Sequence, residues 1–260
     1  RQESKLRNDV VQVIQDVYEL ELIPEASEKI KISKRVDDYF GSCRWGEFYD
    51  QPLISEFFEK LRNRRTSIDD ELFFLDIGAN TGSFCFLTNI LENTSCFCYE
   101  PNQEVYEILT ENVILNNLEN KVECHNVGIW ESNCEKEIKI PGKGIDSGLG
   151  TLASNITRFS SLKEGDFQVK TIKCVSVDSH MKDKNIQKVD AIKIDTEGAE
   201  LPVLRGCEAV LKRDKPLLLL EYTEKTTNQF GYKREDIVHY LIALGYNNFW
   251  LVGEGDLIAE

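Results

Sequence analysis

From residue 72 onward the sequence alternates short apolar runs with amphipathic segments, and this alternation leaves few possible folds. The apolar runs are predicted strands at 72–78, 96–100, 122–130, 189–195, 216–222 and 248–252. The segments between them are predicted helices from Ser83 to Leu91, Glu104 to Asn116, Glu200 to Lys212 and Arg234 to Leu244. Strands that alternate with helices form a mostly parallel sheet covered on both faces. The pattern therefore predicts a doubly wound α/β domain, whose ligands bind beyond the carboxyl ends of the strands.

Two further segments frame this domain, which we place at residues 67–260. An N-terminal extension over residues 1–66 is predicted to be helical, with one amphipathic helix from Ser4 to Leu22 and a second around Leu53 to Leu61. Between residues 131 and 188 the alternation fails, and 167–178 alternates like an exposed antiparallel strand. We interpret 131–188 as an inserted β-ribbon and loop at the rim of the site, where long loops are often lids.

The charge balance limits the class of partner. The 260 residues carry a formal net charge of −14, which repels phosphate backbones and argues against a nucleic-acid-binding protein. No apolar run approaches the roughly 18 residues that a membrane-spanning helix needs. A small neutral or cationic ligand fits this composition better.

The eight cysteines indicate the redox setting. No CxxC pair occurs, so buried reduced thiols are favoured over a zinc site or a disulfide framework, and a cytoplasmic location is expected. The sequence begins at Arg1, so we expect a trimmed or excised chain.

A glycine-rich turn follows the first predicted strand, in "FFLDIGANTGSF". Gly78 and Gly82 would let the backbone approach a ligand closely, with a helix start behind them that favours negative charge. A nicotinamide-binding loop would have glycine at position 80. The presence of Asn80 there disfavours a dinucleotide-dependent oxidoreductase.

The residues around this turn fit a ligand with an amino-acid end. Asp76 could accept hydrogen bonds from an ammonium group, while the backbone N–H groups from Ala79 to Gly82 could hold a carboxylate. Glu100 closes the next strand, where an acidic residue binds both ribose hydroxyls of an adenosine. Ammonium, carboxylate, ribose and adenine occur together in S-adenosylmethionine.

The fourth main strand ends in the charged sequence "AIKIDTEGAE". Asp195 and Glu197 lie just beyond the carboxyl end of the strand and are candidates for binding and deprotonating an acceptor hydroxyl. Lys193 is expected to orient one of these carboxylates or the acceptor oxygen. We expect Asp195 or Glu221 to pair with Lys193, since a buried lysine is rarely unpaired. Glu197 could equally be a metal ligand or a helix-end charge, and Glu200 is assigned to the start of the next helix.

The segments "LDIGANTGSF", "YEPNQEVYEILTENVILNN", "VGIW", "VSVDS", "IKIDTEGAELPVLRGCEAVL" and "PLLLLEY" together resemble the FkbM family of S-adenosylmethionine-dependent methyltransferases. The resemblance runs from about Asp38 to Glu221. It implies a Rossmann-like class I methyltransferase sheet and methyl transfer to a hydroxyl of a sugar, glycan or small natural product. It also implies that Trp45, Glu47 and Tyr49 lie where the family often closes over the cofactor, and ordinary packing between the N-terminal extension and the sheet is an equally open interpretation of these residues.

The resemblance assigns cofactor contacts by position. It places Asp76, Gly78, Ala79, Asn80, Thr81 and Gly82 around the methionine part of the cofactor. It places Glu100 on the ribose, with Pro101, Asn102, Asn126 and Val127 around the adenine. Two other readings stay open: a non-catalytic nucleoside-binding module, and a sugar O-methyltransferase that needs a divalent metal, which we favour less. The acceptor and the oligomeric state are not readable from the sequence.

Overall fold

The apolar runs become the strands of a central sheet in the computed structural model, which describes residues 17–21, 29–33, 35, 51–67, 69–142, 150–153, 164–253 and 255–260. The strands are β1 Val17–Glu21, β2 Lys29–Ser33, β3 Leu72–Ile77, β4 Thr94–Tyr99, β5 Val122–His125, β6 Gly128–Ile129, β7 Cys134–Pro141, β8 Phe167–Val175, β9 Ala191–Ile194, β10 Leu217–Glu221, β11 Phe249–Val252 and β12 Asp256–Ala259. The helices are α1 Gln51–Asn63, α2 Leu87–Ile90, α3 Gln103–Leu115, α4 Val177–Asp183, α5 Glu200–Arg205, α6 Glu208–Asp214, α7 Glu224–Thr227 and α8 Arg234–Ala243.

Seven strands form the central sheet in the order β11-β12-β10-β9-β3-β4-β5. The strands from β10 to β5 pair in parallel, whereas β12 is antiparallel to both of its neighbours. The chain runs outward from β3 through β4 to β5 and then returns to β9 on the other side of β3. This reversal of order opens a crevice at the carboxyl ends of β3 and β9, where doubly wound proteins bind ligands. The predicted α/β fold is confirmed.

Alternation of side chains along the strands builds one apolar layer on each face of the sheet. Phe74 of β3 and Ala191 of β9 face a cluster that includes residues of α1, α3 and β2. Leu75 and Ile192 face a second cluster that includes residues of α4, α5, α6 and α8. Successive strand residues point to opposite faces, so Asp76 and Lys193 lie on the same face as Phe74.

The insertion forms its own small sheet, in the order β6-β8-β7. β7 and β8 pair antiparallel from Cys134↔Cys174 to Pro141↔Phe167, as the alternation in 167–178 predicts. The predicted strand at 122–130 instead divides into β5 and β6, which belong to different sheets. The chain changes sheets there, so one apolar run supplies two elements.

The predicted N-terminal helix is wrong at residues 17–21, which form β1 and pair antiparallel with β2. Apolar residues in this region fit both a helical spacing and the period of two of a strand. The partner strand β2 has the period of two: Ile30 and Ile32 are buried, whereas Lys29 and Lys31 are exposed. The second predicted helix is present as α1, and Phe57 packs edge-on against Phe74 with ring centroids 6.5 Å apart. The boundary between residues 66 and 67 stays a prediction.

Two other helix predictions are only partly right. Only Leu87–Ile90 is α-helical within 83–91, because backbone bonds such as Leu87 N–H to the Phe84 carbonyl (3.0 Å) close tighter turns before it. The helix predicted from Glu200 divides at Gly206 into α5 and α6. A Cβ on Gly206 would lie 2.1 Å from the Trp130 carbonyl oxygen, so the backbones approach closely at the break.

Several sequence predictions lie outside the described residues: Trp45, Glu47, Tyr49 and most of the loop at 142–161. Among the described helices, none has both the length and the apolar character required to cross a membrane. The cytoplasmic location stays a prediction.

Candidate functional site

A buried ion pair lies at the crevice between β3 and β9. Asp76 and Lys193 are paired in the sheet register, and Lys193 Nζ lies 3.3 Å from Asp76 Oδ1. Lys193 also donates a hydrogen bond to the Gly78 carbonyl (2.6 Å) and lies 3.8 Å from Asp195 Oδ2. Burial raises the pKa of the Asp76 carboxyl, and the charge of Lys193 opposes that shift. The lysine therefore connects the glycine turn to the end of β9.

Lys193 was predicted to pair with Asp195 or Glu221. The ion pair with Asp195 is present, but the shorter one joins Lys193 to Asp76. Glu221 Oε1 accepts a hydrogen bond from Thr223 Oγ1 (3.2 Å) at the end of β10. The Asp76 side chain has no exposed surface, so its contact with a ligand ammonium group stays a prediction.

Gly78 is the point where the glycine turn meets the loop after β9. Its φ is +72°, and a Cβ built on it would lie 1.9 Å from the Asp195 carbonyl oxygen. Both features exclude a side chain at this position, because left-handed backbone is costly for residues other than glycine and the space is already filled. The two strand-end loops thus form one packed edge.

The backbone N–H groups of the glycine turn are largely used within the protein. Ala79 N–H donates to the Tyr99 carbonyl (3.0 Å), and Gly82 N–H donates to the Ala79 carbonyl (2.9 Å). Asn80 N–H donates to Glu100 Oε2 (3.1 Å). Each backbone N–H group is a single hydrogen-bond donor, so one that already has a partner is not available to a ligand. The N–H groups of Ala79, Asn80 and Gly82 therefore already have partners within the protein, and a carboxylate held by the segment from Ala79 to Gly82 stays a prediction.

Glu100 follows β4 and is fixed by two backbone donors. Its Oε1 accepts from Asn102 N–H (2.8 Å), and its Oε2 accepts from Asn80 N–H (3.1 Å). Burial raises the pKa of Glu100 to about 7. The two hydrogen bonds lower this pKa because they favour the ionised form, but burial has the larger effect. A carboxylate offers about four lone-pair positions, so two remain for ligand hydroxyl groups.

Three of the residues predicted to border an adenine, Pro101, Asn102 and Asn126, lie beside Glu100. Asn102 caps α3, its side chain accepting from Glu104 N–H (3.3 Å). Asn126 Nδ2 donates to the carbonyls of Glu100 (2.9 Å) and Pro101 (3.2 Å), which ties the end of β5 to the end of β4. Val127 is half-buried and packs against the apolar layer that contains Leu75 and Ile192, on the face of the sheet opposite to Lys193.

The two candidate bases differ in their surroundings. The Asp195 side chain is 51% exposed, so it can reach a molecule in the crevice. Glu197 has a left-handed backbone, with a φ of +57°. Its carbonyl accepts from Thr151 Oγ1 (3.4 Å), and Thr151 is paired through the backbone with Lys139 of the inserted ribbon. The insertion therefore contacts the loop that carries both carboxylates.

Glu200, which the sequence assigned to the start of a helix, has a buried carboxylate that accepts hydrogen bonds from the loop after β9. It is fully buried, and its Oε1 accepts from Thr196 N–H (3.0 Å) and Gly198 N–H (3.1 Å). Tyr232 donates to the Gly198 carbonyl (2.6 Å) from the other side. Burial raises the pKa of Glu200. Sequence patterns did not identify Tyr232, since it lies in an irregular segment far along the chain.

Two histidines contact Tyr99, the last residue of β4. His180 Nδ1 lies 2.8 Å from the Tyr99 hydroxyl, and His125 stacks on the Tyr99 ring at a centroid distance of 5.1 Å. Cys96 and Cys98 share a face of β4, with sulfur atoms 3.7 Å apart. Within the described ranges, no three His, Cys, Asp or Glu side chains form a group that could hold a metal ion.

Comparison with known families gives a match over most of this fold. The family described as the methyltransferase FkbM domain matches residues 76–247, which is more than half of the chain and spans β3 to the end of α8. A solved methyltransferase FkbM from Methylobacillus flagellatus KT superimposes with a TM-score of 0.50 at 17% identity, covering 75% of this chain and 44% of that one. This likeness concerns the fold.

Two curated proteins are similar over part of the sequence. The hexuronic acid methyltransferase AglP of Haloferax volcanii is 28% identical over 148 residues, which cover 55% of this chain and 52% of that protein. The methyltransferase sdnD of Sordaria araneosa is 24% identical over 156 residues, covering 52% of this chain and 60% of that protein. The chain thus spans little more than half the length of the curated relatives it matches.

Proposed function

Because this chain belongs to the FkbM family of methyltransferases, we propose that it transfers a methyl group from S-adenosylmethionine to a hydroxyl of a sugar, glycan or small natural product. One observation carries the proposal. Glu100, the glycine turn and Asp195 follow three adjacent strands, β4, β3 and β9, so the buried carboxylate of Glu100 and the exposed carboxylate of Asp195 lie along one edge of the sheet.

The residues at this edge fit the proposed cofactor. Glu100 retains acceptor capacity after its two backbone hydrogen bonds, as a ribose diol requires. Gly78 lets the loop that carries Asp195 pack against the glycine turn, and Asn102 and Asn126 shape the neighbouring segment. We assign the ribose to Glu100 and the adenine to the segment around Pro101.

When bound, S-adenosylmethionine supplies a methyl group already activated by a positively charged sulfur, so the leaving group needs no acid. The protein must then orient the acceptor hydroxyl and remove its proton. Asp195 is our candidate base, because its carboxylate is half-exposed at the crevice and lies 3.8 Å from the Lys193 ammonium group, which orients it. A positioned base of this kind contributes about 10²–10⁴-fold to the rate.

The acceptor is proposed to be a hydroxylated, uncharged or weakly charged molecule. The acidic protein, with a formal net charge of −14, disfavours strongly anionic acceptors. AglP, a relative named for hexuronic acid, supports a sugar. Glu197 and the insertion, joined through Thr151, are expected to border the acceptor.

Calorimetry with S-adenosylhomocysteine tests the cofactor. We expect saturable binding by the wild-type protein and weaker binding by Glu100→Ala, which removes the ribose acceptor. Absence of binding at millimolar ligand would refute the proposed cofactor, and unchanged affinity in Glu100→Ala would remove the ribose assignment.

A methyl-transfer assay against a panel of sugars tests the reaction. Asp195→Asn should lower kcat by about 10²–10⁴-fold while leaving the Kd for S-adenosylhomocysteine nearly unchanged. Asp183→Asn, which removes an exposed carboxylate on α4, is the matched control and should keep full activity. An unaffected rate in Asp195→Asn would assign the base elsewhere, and cofactor binding without transfer to any acceptor would favour a non-catalytic module.

A further inference from the structure

Asn112 on α3 and Asn116, which caps the C-terminal end of α3, hold the backbone of β2 with their side chains. Asn112 Oδ1 accepts from Ser33 N–H (2.8 Å). One helical turn further on, Asn116 Oδ1 accepts from Lys31 N–H (2.8 Å), and its Nδ2 donates to the Lys31 carbonyl (2.7 Å). Four helix residues advance about 6 Å and two strand residues about 6.7 Å, so the two spacings match. The helix thus binds the edge of the N-terminal ribbon, β1–β2.

Asn112 makes one further contact that Asn116 does not share in the described structure. Its Nδ2 donates to the carbonyl of Thr81 in the glycine turn (2.9 Å). Asn112 is fully buried, and Ser33 and Thr81 are only 2% and 4% exposed, so both hydrogen bonds are shielded from water. One amide therefore joins the N-terminal ribbon to the turn.

Thr81 occupies the part of the turn whose backbone is least regular. It stands between Asn80, with a φ of +49°, and Gly82, with a φ of +99°. The N–H of Asn80 is bonded to Glu100, so rotation of this segment would also move the donor that orients Glu100. A buried carbonyl that loses its donor is costly, and the turn would be expected to shift toward another partner.

We propose that Asn112 is a positioning residue for the cofactor: it couples α3 to the glycine turn by fixing the Thr81 carbonyl, and its bond to Ser33 N–H holds the amide in the orientation that this contact needs. The identity of the ligand rests on the proposed function, whereas the coupling rests on the contacts of Asn112 itself.

Three variants of the full chain test the proposal at pH 8. Asn112→Leu removes both hydrogen bonds at nearly constant volume. Asn112→Asp retains the acceptor for Ser33 N–H but loses the donor to Thr81. Asn116→Leu is the control: it breaks the ribbon contact and the bond from Asn116 Nδ2 to the Asn112 carbonyl (2.7 Å), but it removes neither hydrogen bond of the Asn112 side chain. Affinity for S-adenosylhomocysteine is measured by calorimetry well below the melting temperature, with circular dichroism to confirm folding.

We expect both Asn112 variants to bind S-adenosylhomocysteine about tenfold more weakly or worse, and Asn116→Leu to bind like the wild-type protein. Equal affinity of the wild-type protein and Asn112→Asp would overturn the proposal. Equal weakening in Asn116→Leu would also overturn it, since general packing of the ribbon would then explain the effect.

Hydrogen exchange of the ligand-free protein separates this proposal from the proposed function. Amides of residues 78–86 should exchange faster in Asn112→Asp than in the wild-type protein or Asn116→Leu. If the wild-type protein fails to bind S-adenosylhomocysteine, the proposed function fails, but the exchange pattern still decides the role of Asn112. Unchanged exchange in Asn112→Asp would refute the coupling.

Discussion

Lowering the pH should weaken the binding of S-adenosylhomocysteine through a single group, Glu100. Burial raises the pKa of this carboxyl to about 7, so it gains a proton in the free protein as the pH falls from 8 to 5. A protonated carboxyl offers fewer acceptor positions than a carboxylate, and its two oxygens already accept from the N–H groups of Asn102 and Asn80. Ribose hydroxyls therefore favour the ionised form.

The magnitude follows from the titration. If only the carboxylate binds, the Kd rises about tenfold for each pH unit below the pKa, or about 1.4 kcal/mol per unit. With a pKa of about 7, the affinity at pH 5 should be roughly 100-fold lower than at pH 8.

The effect of Glu100 on stability has the opposite sign to its effect on binding. A carboxyl whose pKa is raised on folding favours the folded state at acid pH, and that contribution disappears as the pH rises through about 7. The contribution of Glu100 to folding is thus retained at pH 5, where binding is weakest.

Calorimetry between pH 5 and pH 8 checks the prediction, with Glu100→Gln as the control that cannot titrate. The wild-type protein should show log Kd rising with a slope of about one below pH 7, and Glu100→Gln should bind weakly with no such slope. A flat wild-type profile would refute the reasoning. A slope that persists in Glu100→Gln would assign the titration to another group.

Three substitutions test the packing of the site. Gly78→Ala should destabilise the protein by about 3 kcal/mol or more, measured by denaturant unfolding, because the new Cβ would meet a backbone oxygen 1.9 Å away; an unchanged midpoint would contradict this close approach. Lys193→Met should cost about 3–5 kcal/mol, since it leaves the buried carboxylate of Asp76 unpaired, and a stable variant would show that the pair is dispensable. Thr151→Val should lower kcat but not cofactor affinity, because it frees the Glu197 loop; loss of cofactor affinity instead would contradict an acceptor-side role.

The strands at the centre of the sheet could be predicted because their apolar runs are long and bounded by polar residues. β12 was missed, since Asp256–Ala259 is short and follows a turn that carries no strong signal. β1 was assigned to a helix because its alternation lies inside a longer helical spacing. Short elements therefore depend on pairing that only the tertiary structure supplies.

The predicted site residues fall along one sheet edge, but their pairing was only partly predictable. Strand period placed Lys193 and Asp195 on one face, whereas the ion pair with Asp76 depends on β9 lying beside β3. β9 lies beside β3 because the chain crosses back from β5, and the spacing of residues along either strand does not predict this. The bridge made by Asn112 was likewise hidden, because its partners lie far away in the sequence.

The position of β12 determines when during synthesis the sheet can be completed. β12 follows β11 in the sequence, yet it lies between β10 and β11 and is the strand to which β11 pairs in the sheet. Until β12 has left the ribosome, β10 has an open edge and β11 has no place to dock, although β3, β4 and β5 can already assemble. The part of the sheet with the glycine turn can thus form during translation, whereas β11 and the outer edge of β10 must wait for β12, and an apolar edge is exposed in any nascent chain that stalls before residue 256.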